Sequence, residues 1–184
     1  MHRPCRSAIL PLLFVLWAPL MVSAQRTDYW QQQVDYTIAV SLDDMDHFLH
    51  GQMAMVYTNN SPDTLSYIYM HLWPNAYSSF ETAFARQQIE NGESAFWESK
   101  KEDRGYIDSL NFRVNGSKAA FVPDSIHADI GLLQLNRPLP PGESISIRTP
   151  FPVKIPKSYS RLGHVGQSYQ ITQWYPKPAV YDDE

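Results

Sequence analysis

Apolar and polar residues alternate with a period of two through much of the chain. In the stretch VDYTIAVSL, residues 34–42, one face carries the apolar side chains Val34, Tyr36, Ile38, Val40 and Leu42. The opposite face carries Asp35, Thr37 and Ser41. Sustained alternation of this kind predicts a β-strand with one buried face.

Further strand signals follow at intervals, with turns between them. Asn115 and Gly116 form a dipeptide that suits a tight hairpin, because both central residues of that turn need a positive φ. Many short strands separated by turns predict an antiparallel β-sandwich. The predicted strands are 34–42, 48–58, 65–73, 106–114, 132–135, 144–149 and 169–174.

One segment interrupts the strand pattern. Within residues 79–90 the apolar side chains Phe80, Ala83, Phe84 and Ile89 recur roughly at helical spacing. The sequence therefore predicts an all-β domain with a short helical insertion around residues 78–91 and no internal domain boundary.

The first 24 residues have the layout of a secretory signal peptide. Arg3 and Arg6 give a positive start, residues 8–22 are apolar, and small residues close the segment at 23–24. The apolar run is short for a membrane span, and Pro11 and Pro19 argue against the alternative of an uncleaved anchor. We expect an exported mature chain of residues 25–184, periplasmic, surface-bound or secreted, with no transmembrane span after cleavage.

Composition narrows the class of protein further. The single cysteine, Cys5, lies in the predicted leader, so the mature chain must be stabilised by its packed core rather than by disulfides. Loss of two arginines with the leader leaves 13 basic against 19 acidic side chains, a net charge of −6. An acidic chain without basic clusters gives no indication of nucleic-acid binding.

Few residues point to catalysis. His47 and His50 have a ligand-like separation, but positions i and i+3 of a strand point to opposite faces. His127 and Asp129 could share a face as a base and its carboxylate, yet no serine or cysteine nucleophile is identifiable beside them. The zinc-peptidase motif HExxH is absent from these residues. We therefore assign neither a catalytic nor a metal-binding residue in this segment.

The end of the chain has the most distinctive sequence. Alternation over 169–174 places Gln173 on one face with Tyr169 and Ile171, and Pro176 ends the ladder. The amide of Gln173 can satisfy a neighbouring backbone group or bind a ligand's amine, and composition does not choose between the two.

The segment ITQWYP, residues 171–176, resembles a segment of the aminopeptidase N family of gluzincin zinc metallopeptidases. Strands 34–42 and 48–58, with Gly51 in the second, resemble the start of that family's N-terminal domain. Residues 30–36, 69–76, 104–108 and 160–176 are similar to its exported, bacteroidete-like branch. The resemblance implies a saddle-like β-sandwich that leads into a catalytic domain.

In that family a zinc-bound water attacks a peptide carbonyl and a glutamate acts as base. The resemblance places the Zn²⁺, its ligands and the peptide substrate in a catalytic domain expected beyond residue 184. Gln173 matches the family's substrate-facing glutamine. Two residues later the family often has Glu or Gln where this chain has Tyr175, a phenol without a carboxylate's charge, which leaves open a substrate other than a free amino terminus.

The expected function is thus that of a non-catalytic N-terminal domain of a secreted zinc aminopeptidase, contributing Gln173 and Tyr175 to substrate binding. Two alternatives stay open. One is a stand-alone exported β-sandwich that binds a glycan or protein partner, for which the tryptophans and tyrosines could supply a stacking platform. The other is an assembly module. An HExxH motif in the downstream reading frame would distinguish the metallopeptidase domain from both of these alternatives.

Overall fold

The computed structural model describes residues 29–182, so the predicted signal peptide lies outside the described residues. Two antiparallel sheets enclose one hydrophobic core, which confirms the predicted all-β sandwich. In chain order the strands are β1 (Gln33–Asp43), β2 (Phe48–Thr58), β3 (Leu65–His71), β4 (Tyr106–Ile107), β5 (Arg113–Val114), β6 (Ser117–Lys118), β7 (Phe121–Pro123), β8 (Ile130–Leu139), β9 (Ser144–Lys154), β10 (Gly163–Val165), β11 (Ser168–Gln170) and β12 (Lys177–Pro178).

The larger sheet has the order β1-β2-β9-β5-β6, with β4 also paired to β9. The smaller sheet has the order β12-β3-β8-β7, and β10 and β11 form a separate hairpin. The two main sheets bury their facing sides, with Met55, Ile147 and Leu133 among the core residues. Within residues 29–182 no helix has the length and apolar character needed to cross a membrane.

The first hairpin follows the predicted pattern. Val34, Ile38 and Leu42 of β1 lie opposite the buried residues Tyr57, Met53 and Leu49 of β2, so the apolar side chains share the core-facing side. β2 has the predicted bounds, and β1 extends one residue beyond them at each end.

The predicted strand 106–114 is wrong in its middle, where the chain leaves the sheet between β4 and β5. β4 ends opposite Val153 and β5 resumes opposite Arg148, so the gap faces a stretch of β9 that contains Pro150 and Pro152. Proline has no N–H to donate to a ladder. The hairpin predicted at Asn115 and Gly116 is confirmed, and both residues have positive φ, 49° and 82°.

The helical insertion is also confirmed. Two short 3-10 helices, Trp73–Tyr77 and Lys101–Asp103, flank the α-helix α1, Ala83–Glu90. Thr82 caps α1, because its Oγ1 accepts the backbone N–H of Ala85 at 3.2 Å. Phe84 of α1 packs against its flanking segments, with its ring 4.6 Å from that of Tyr77 and 5.2 Å from that of Phe96, and Phe96 in turn meets Tyr159 at 5.1 Å.

Two strand ends differ from the prediction. β3 stops at His71 because Trp73 and Pro74 begin a 3-10 helix. β11 stops at Gln170, so the alternation predicted through residue 174 is wrong beyond that point. Gln173 has a φ of 52°, a left-handed conformation that no regular strand accommodates.

Candidate functional site

Segment 171–176 leaves the β10–β11 hairpin and leads to β12. Thr172 fixes its start, since its Oγ1 donates to the backbone carbonyl of Arg161 at 2.7 Å. β12 fixes its end, because Lys177 pairs with His71 and Pro178 with Met70. The segment is therefore held at both ends.

Aromatic packing holds the middle of the segment. The ring of Trp174 lies 5.8 Å from that of Phe151, and the ring of Tyr175 lies 5.3 Å from that of Trp174. Tyr175 also meets Tyr36 of β1 edge-on at 5.4 Å. Such edge and tilted contacts between aromatic rings are each worth about 0.5–1.5 kcal/mol beyond the area they bury.

Gly51 makes this packing possible. Gly51 of β2 lies directly opposite Phe151 of β9, and a Cβ at position 51 would sit 2.3 Å from Phe151 Cζ. The absence of a side chain at position 51 lets the Phe151 ring lie over the neighbouring strand, where Trp174 packs against it. The glycine noted in the sequence is therefore a packing requirement of the site.

Gln173 is the exposed member of the segment. Its neighbours Trp174 and Thr172 are half-buried, whereas Gln173 projects to solvent with its backbone in the left-handed region. A residue other than glycine in that conformation stores of order 1–3 kcal/mol, and such strain clusters at binding and catalytic sites. The fixed ends and the aromatic anchors hold Gln173 outward.

Gln173 lines a surface cleft of about 380 Å³ between the segment and the helical insertion. The insertion contributes the polar side chains Gln87, Gln88 and Asn91, and the loop before β10 contributes Ser160 and Arg161. Trp73, Tyr77 and Phe84 supply aromatic walls.

Amides and a guanidinium dominate the polar part of this cleft. Side-chain amides offer both donors and acceptors, and arginine presents a fork of donors that matches a carboxylate. The cleft can therefore bind a peptide backbone or a carboxylate. Among residues 29–182, no carboxylate, cysteine or histidine lines the cleft.

A cation is stacked beside the cleft. Lys177 Nζ lies 4.9 Å from the centroid of the Trp73 ring and 5.9 Å from that of Tyr175. The ring of His71 also stacks on Trp73, with 5.1 Å between the ring centroids and 11° between the ring planes. Burial lowers the pKa of His71; Asp129 opposes this shift and Lys177 adds to it.

The two residues assigned to substrate binding therefore occupy different environments. Gln173 lines the cleft, whereas Tyr175 is half-buried against Tyr36 and Trp174. Burial, together with the neighbouring phenol of Tyr175, raises the pKa of the Tyr36 hydroxyl.

The histidines weighed as metal ligands do not converge. His47 lies in the β1–β2 turn with a φ of 56°, and its ring stacks on His164 at 3.6 Å and shares a hydrogen bond of 2.7 Å with Tyr169. His50 instead stacks on Phe48. Within residues 29–182 no group of three or more His, Cys, Asp or Glu side chains is placed to hold a metal, so the described residues do not fit a zinc site.

No family model and no curated protein matches the chain. Among solved structures, it is similar to a mutant M1 zinc metallopeptidase from Deinococcus radiodurans, at 16% identity and a TM-score of 0.42, over 70% of this chain and 22% of that one. A two-domain M1 zinc metallopeptidase bound to L-tryptophan matches at 16% identity and a TM-score of 0.42, over 71% of this chain and 22% of that one.

A candidate nutrient binding protein from Legionella pneumophila matches at 13% identity and a TM-score of 0.38, over 67% of this chain and 40% of that one. The chain spans about a fifth of the length of the two metallopeptidases. What a whole metallopeptidase does is therefore, for this chain, a matter of proposal.

Sequence reasoning missed Trp73 and Arg161, which line the cleft, and Lys177, which lies beside it. Arg161, Trp73 and Lys177 come from separate parts of the chain and meet only in the fold. The sequence held a partial signal, since Trp73 lies within 69–76 and Arg161 within 160–176, two of the stretches that carry the family resemblance.

Proposed function

We propose that this chain is the non-catalytic N-terminal domain of a longer, exported zinc metallopeptidase of the aminopeptidase type. In this proposal residues 1–24 are the signal peptide, and the catalytic domain with its Zn²⁺ follows residue 184. The domain presents Gln173 to a peptide held between it and the catalytic domain.

One observation carries the proposal. Gln173, the position that the family resemblance assigns to substrate contact, is exposed and left-handed while its neighbours are anchored in the sandwich. A left-handed conformation outside a tight turn, between anchored neighbours, gives a ligand-binding amide a fixed position. The amide-lined cleft around Gln173 supports the same conclusion.

Tyr175 has a different part in the proposal. Its ring packs against Trp174 and Tyr36, so it positions the segment that carries Gln173 and supplies a phenol, without a carboxylate's charge, at the family's acidic position. We infer that recognition of a free amino terminus is weaker than in members that carry glutamate there.

The test begins with the natural gene product. The downstream reading frame should encode HExxH, and the complete protein should hydrolyse aminoacyl-anilides in a reaction that a chelator abolishes. The present chain alone should be inert. A stop codon directly after Glu184, or metal-dependent hydrolysis by the present chain, would overturn the proposal.

The role of Gln173 is tested in the complete protein. Gln173→Ala should lower kcat/KM by about 10- to 100-fold, since loss of one hydrogen bond to a charged group removes about 1.5–3 kcal/mol. Gln134→Ala, at an exposed glutamine outside the cleft, is the matched comparison and should leave kcat/KM unchanged. Equal activity of the Gln173→Ala variant and the unmodified enzyme would contradict the assignment.

Export is tested separately. The first residue of the exported protein, read by N-terminal sequencing, should be Gln25. An intact Met1 in the exported fraction would contradict the predicted cleavage.

A second candidate function rests on the tyrosines of β3. Tyr67 and Tyr69 are 50% and 47% exposed and meet edge-on at 5.5 Å. They border a pocket of about 240 Å³ that Val180 and Tyr181 also line. Such a surface suits a stand-alone glycan-binding module. Saturable binding to a glycan array that is lost in Tyr69→Ala would support this function.

A further inference from the structure

Strand β1 forms one edge of the larger sheet. β2 pairs with one of its sides, and among residues 29–182 no strand pairs with the other side. The nearest contact is a single antiparallel bridge between Gln31 and Asp182, just before the strand begins. An edge of this kind presents a row of unpaired N–H and C=O groups to other chains.

The usual protections of an edge strand are missing here. Natural edges are blunted by shortness, by lysine or proline, or by a bulge. β1 is 11 residues long, contains no lysine, arginine, proline or glycine, and pairs with β2 without a register shift. Its only charges are Asp35 and the terminal Asp43.

The core-facing side of β1 is also incompletely covered. Val40 and Leu42 are 48% and 44% exposed, although the residues opposite them in β2, Gly51 and Leu49, are buried. The second sheet therefore does not reach this part of the edge, and apolar surface beside an open ladder is left for another chain.

The strand is complementary to itself. We propose that a second copy of this chain pairs antiparallel with β1 across this edge, about a two-fold axis through Ile38. In that register Val34 lies opposite Leu42 and Tyr36 opposite Val40 of the second copy. The polar side pairs Gln33 with Asp43, Asp35 with Ser41 and Thr37 with Ala39.

Charge and length select this register. A shift by two residues in one direction places Asp35 opposite Asp43, and like charges directly opposite each other destabilise a sheet. A shift by two in the other direction runs into the Gln31–Asp182 bridge. The full strand, bounded by that bridge and by the turn after Asp43, is centred on Ile38.

The pairing buries what the monomer exposes. The axis stands normal to the sheet, so both core faces lie on the same side, and Val40 and Leu42 meet Tyr36 and Val34 of the second copy. Because the contact is isologous, it closes on itself and does not propagate into a filament. One strand pair is a small interface, so we expect a dissociation constant of roughly 1–100 μM.

Outward-facing residues allow a test that leaves the core intact. The purified chain is followed by analytical ultracentrifugation from about 1 μM to about 500 μM, where a monomer–dimer equilibrium is expected. The double variant Thr37→Lys/Ala39→Lys places like charges opposite each other twice, and should weaken the dimer at least about tenfold. The matched control Gln52→Lys/Val56→Lys, on the same face of β2, should dimerise as the unmodified chain does.

A complementary variant makes the test specific to this register. Thr37→Glu/Ala39→Glu alone should also be monomeric, and an equimolar mixture with the lysine variant should restore a heterodimer. A chain that stays monomeric up to about 500 μM would overturn the proposal. A dimer that the lysine variant leaves intact, or a mixture that does not pair, would overturn it as well. The outcome does not depend on the peptidase assignment.

Discussion

The contact between Gly51 and Phe151 gives the sharpest test of how the sandwich supports segment 171–176. Gly51→Ala would place a Cβ 2.3 Å, 2.6 Å and 2.7 Å from three atoms of the Phe151 ring. Ordinary contact begins near 3.4 Å, so the ring must retreat by about 1.1 Å. Phe151 is 1% exposed, and its ring already contacts Trp174, so little room is available.

The expected cost follows from two opposing effects. Overpacking a filled core costs about 1–3 kcal/mol, whereas replacing glycine by alanine in a strand returns about 0.5–1 kcal/mol of backbone entropy. Gly51→Ala should therefore lower the free energy of unfolding by about 1–2 kcal/mol. Urea unfolding followed by tryptophan fluorescence measures this change, and Trp174 lies directly in the perturbed cluster.

A double-mutant cycle isolates the contact. Phe151→Leu shortens the side chain, so Gly51→Ala should cost at least about 1 kcal/mol less in that background. Gly116→Ala is the matched comparison, because no atom lies within 4 Å of a Cβ there and its cost comes from the positive φ alone. If the costs of Gly51→Ala and Phe151→Leu add within about 0.5 kcal/mol, the argument that Gly51 makes room for the ring is refuted.

Three further outcomes are expected. Asn59 is fully buried, and its Nδ2 donates to the backbone carbonyls of Asp63 and Leu139 at 2.7 Å and 3.0 Å. Asn59→Asp should therefore lower the free energy of unfolding, measured in urea, by about 3 kcal/mol or more at neutral pH and by less in acid. An equal loss at both pH values would contradict this. The pKa of His71 is lowered in the folded state, so the contribution of neutral His71 to stability is complete above about pH 6.5 and is lost as pH falls toward the folded pKa. His71→Gln should therefore flatten the decline of the melting temperature between pH 7 and pH 5, and an unchanged slope would count against this assignment. Gln173→Gly should raise the free energy of unfolding by about 1 kcal/mol, because glycine adopts φ 52° without strain, whereas a loss of stability would show that the Gln173 side chain serves the fold.

The sequence by itself determined the fold class and much of the strand map. Alternation with a period of two specified β1 and β2, because one face of each must be buried while the other meets water. The turn chemistry of Asn115 and Gly116 specified a hairpin locally. The helical spacing around Phe84 specified the insertion in the same way.

Only the tertiary structure decided where those patterns fail. The strand predicted at 106–114 breaks because its partner strand carries Pro150 and Pro152, which no local pattern in 106–114 records. The alternation predicted over 169–174 stops at Gln170, and beyond it Trp174 and Tyr175 pack on Phe151 and Tyr36 instead of entering a ladder.

The same distinction applies to the cleft and to the free edge of β1. Trp73 is far in the chain from Arg161 and Gln173, which flank the β10–β11 hairpin, and only the fold brings the three to one cleft. The self-complementary pattern about Ile38 is present in the sequence, but it acquires meaning only because the sheet leaves that side of β1 unpaired among the described residues. Local periodicity sets which residues share a face, and long-range contacts decide which face or edge stays open.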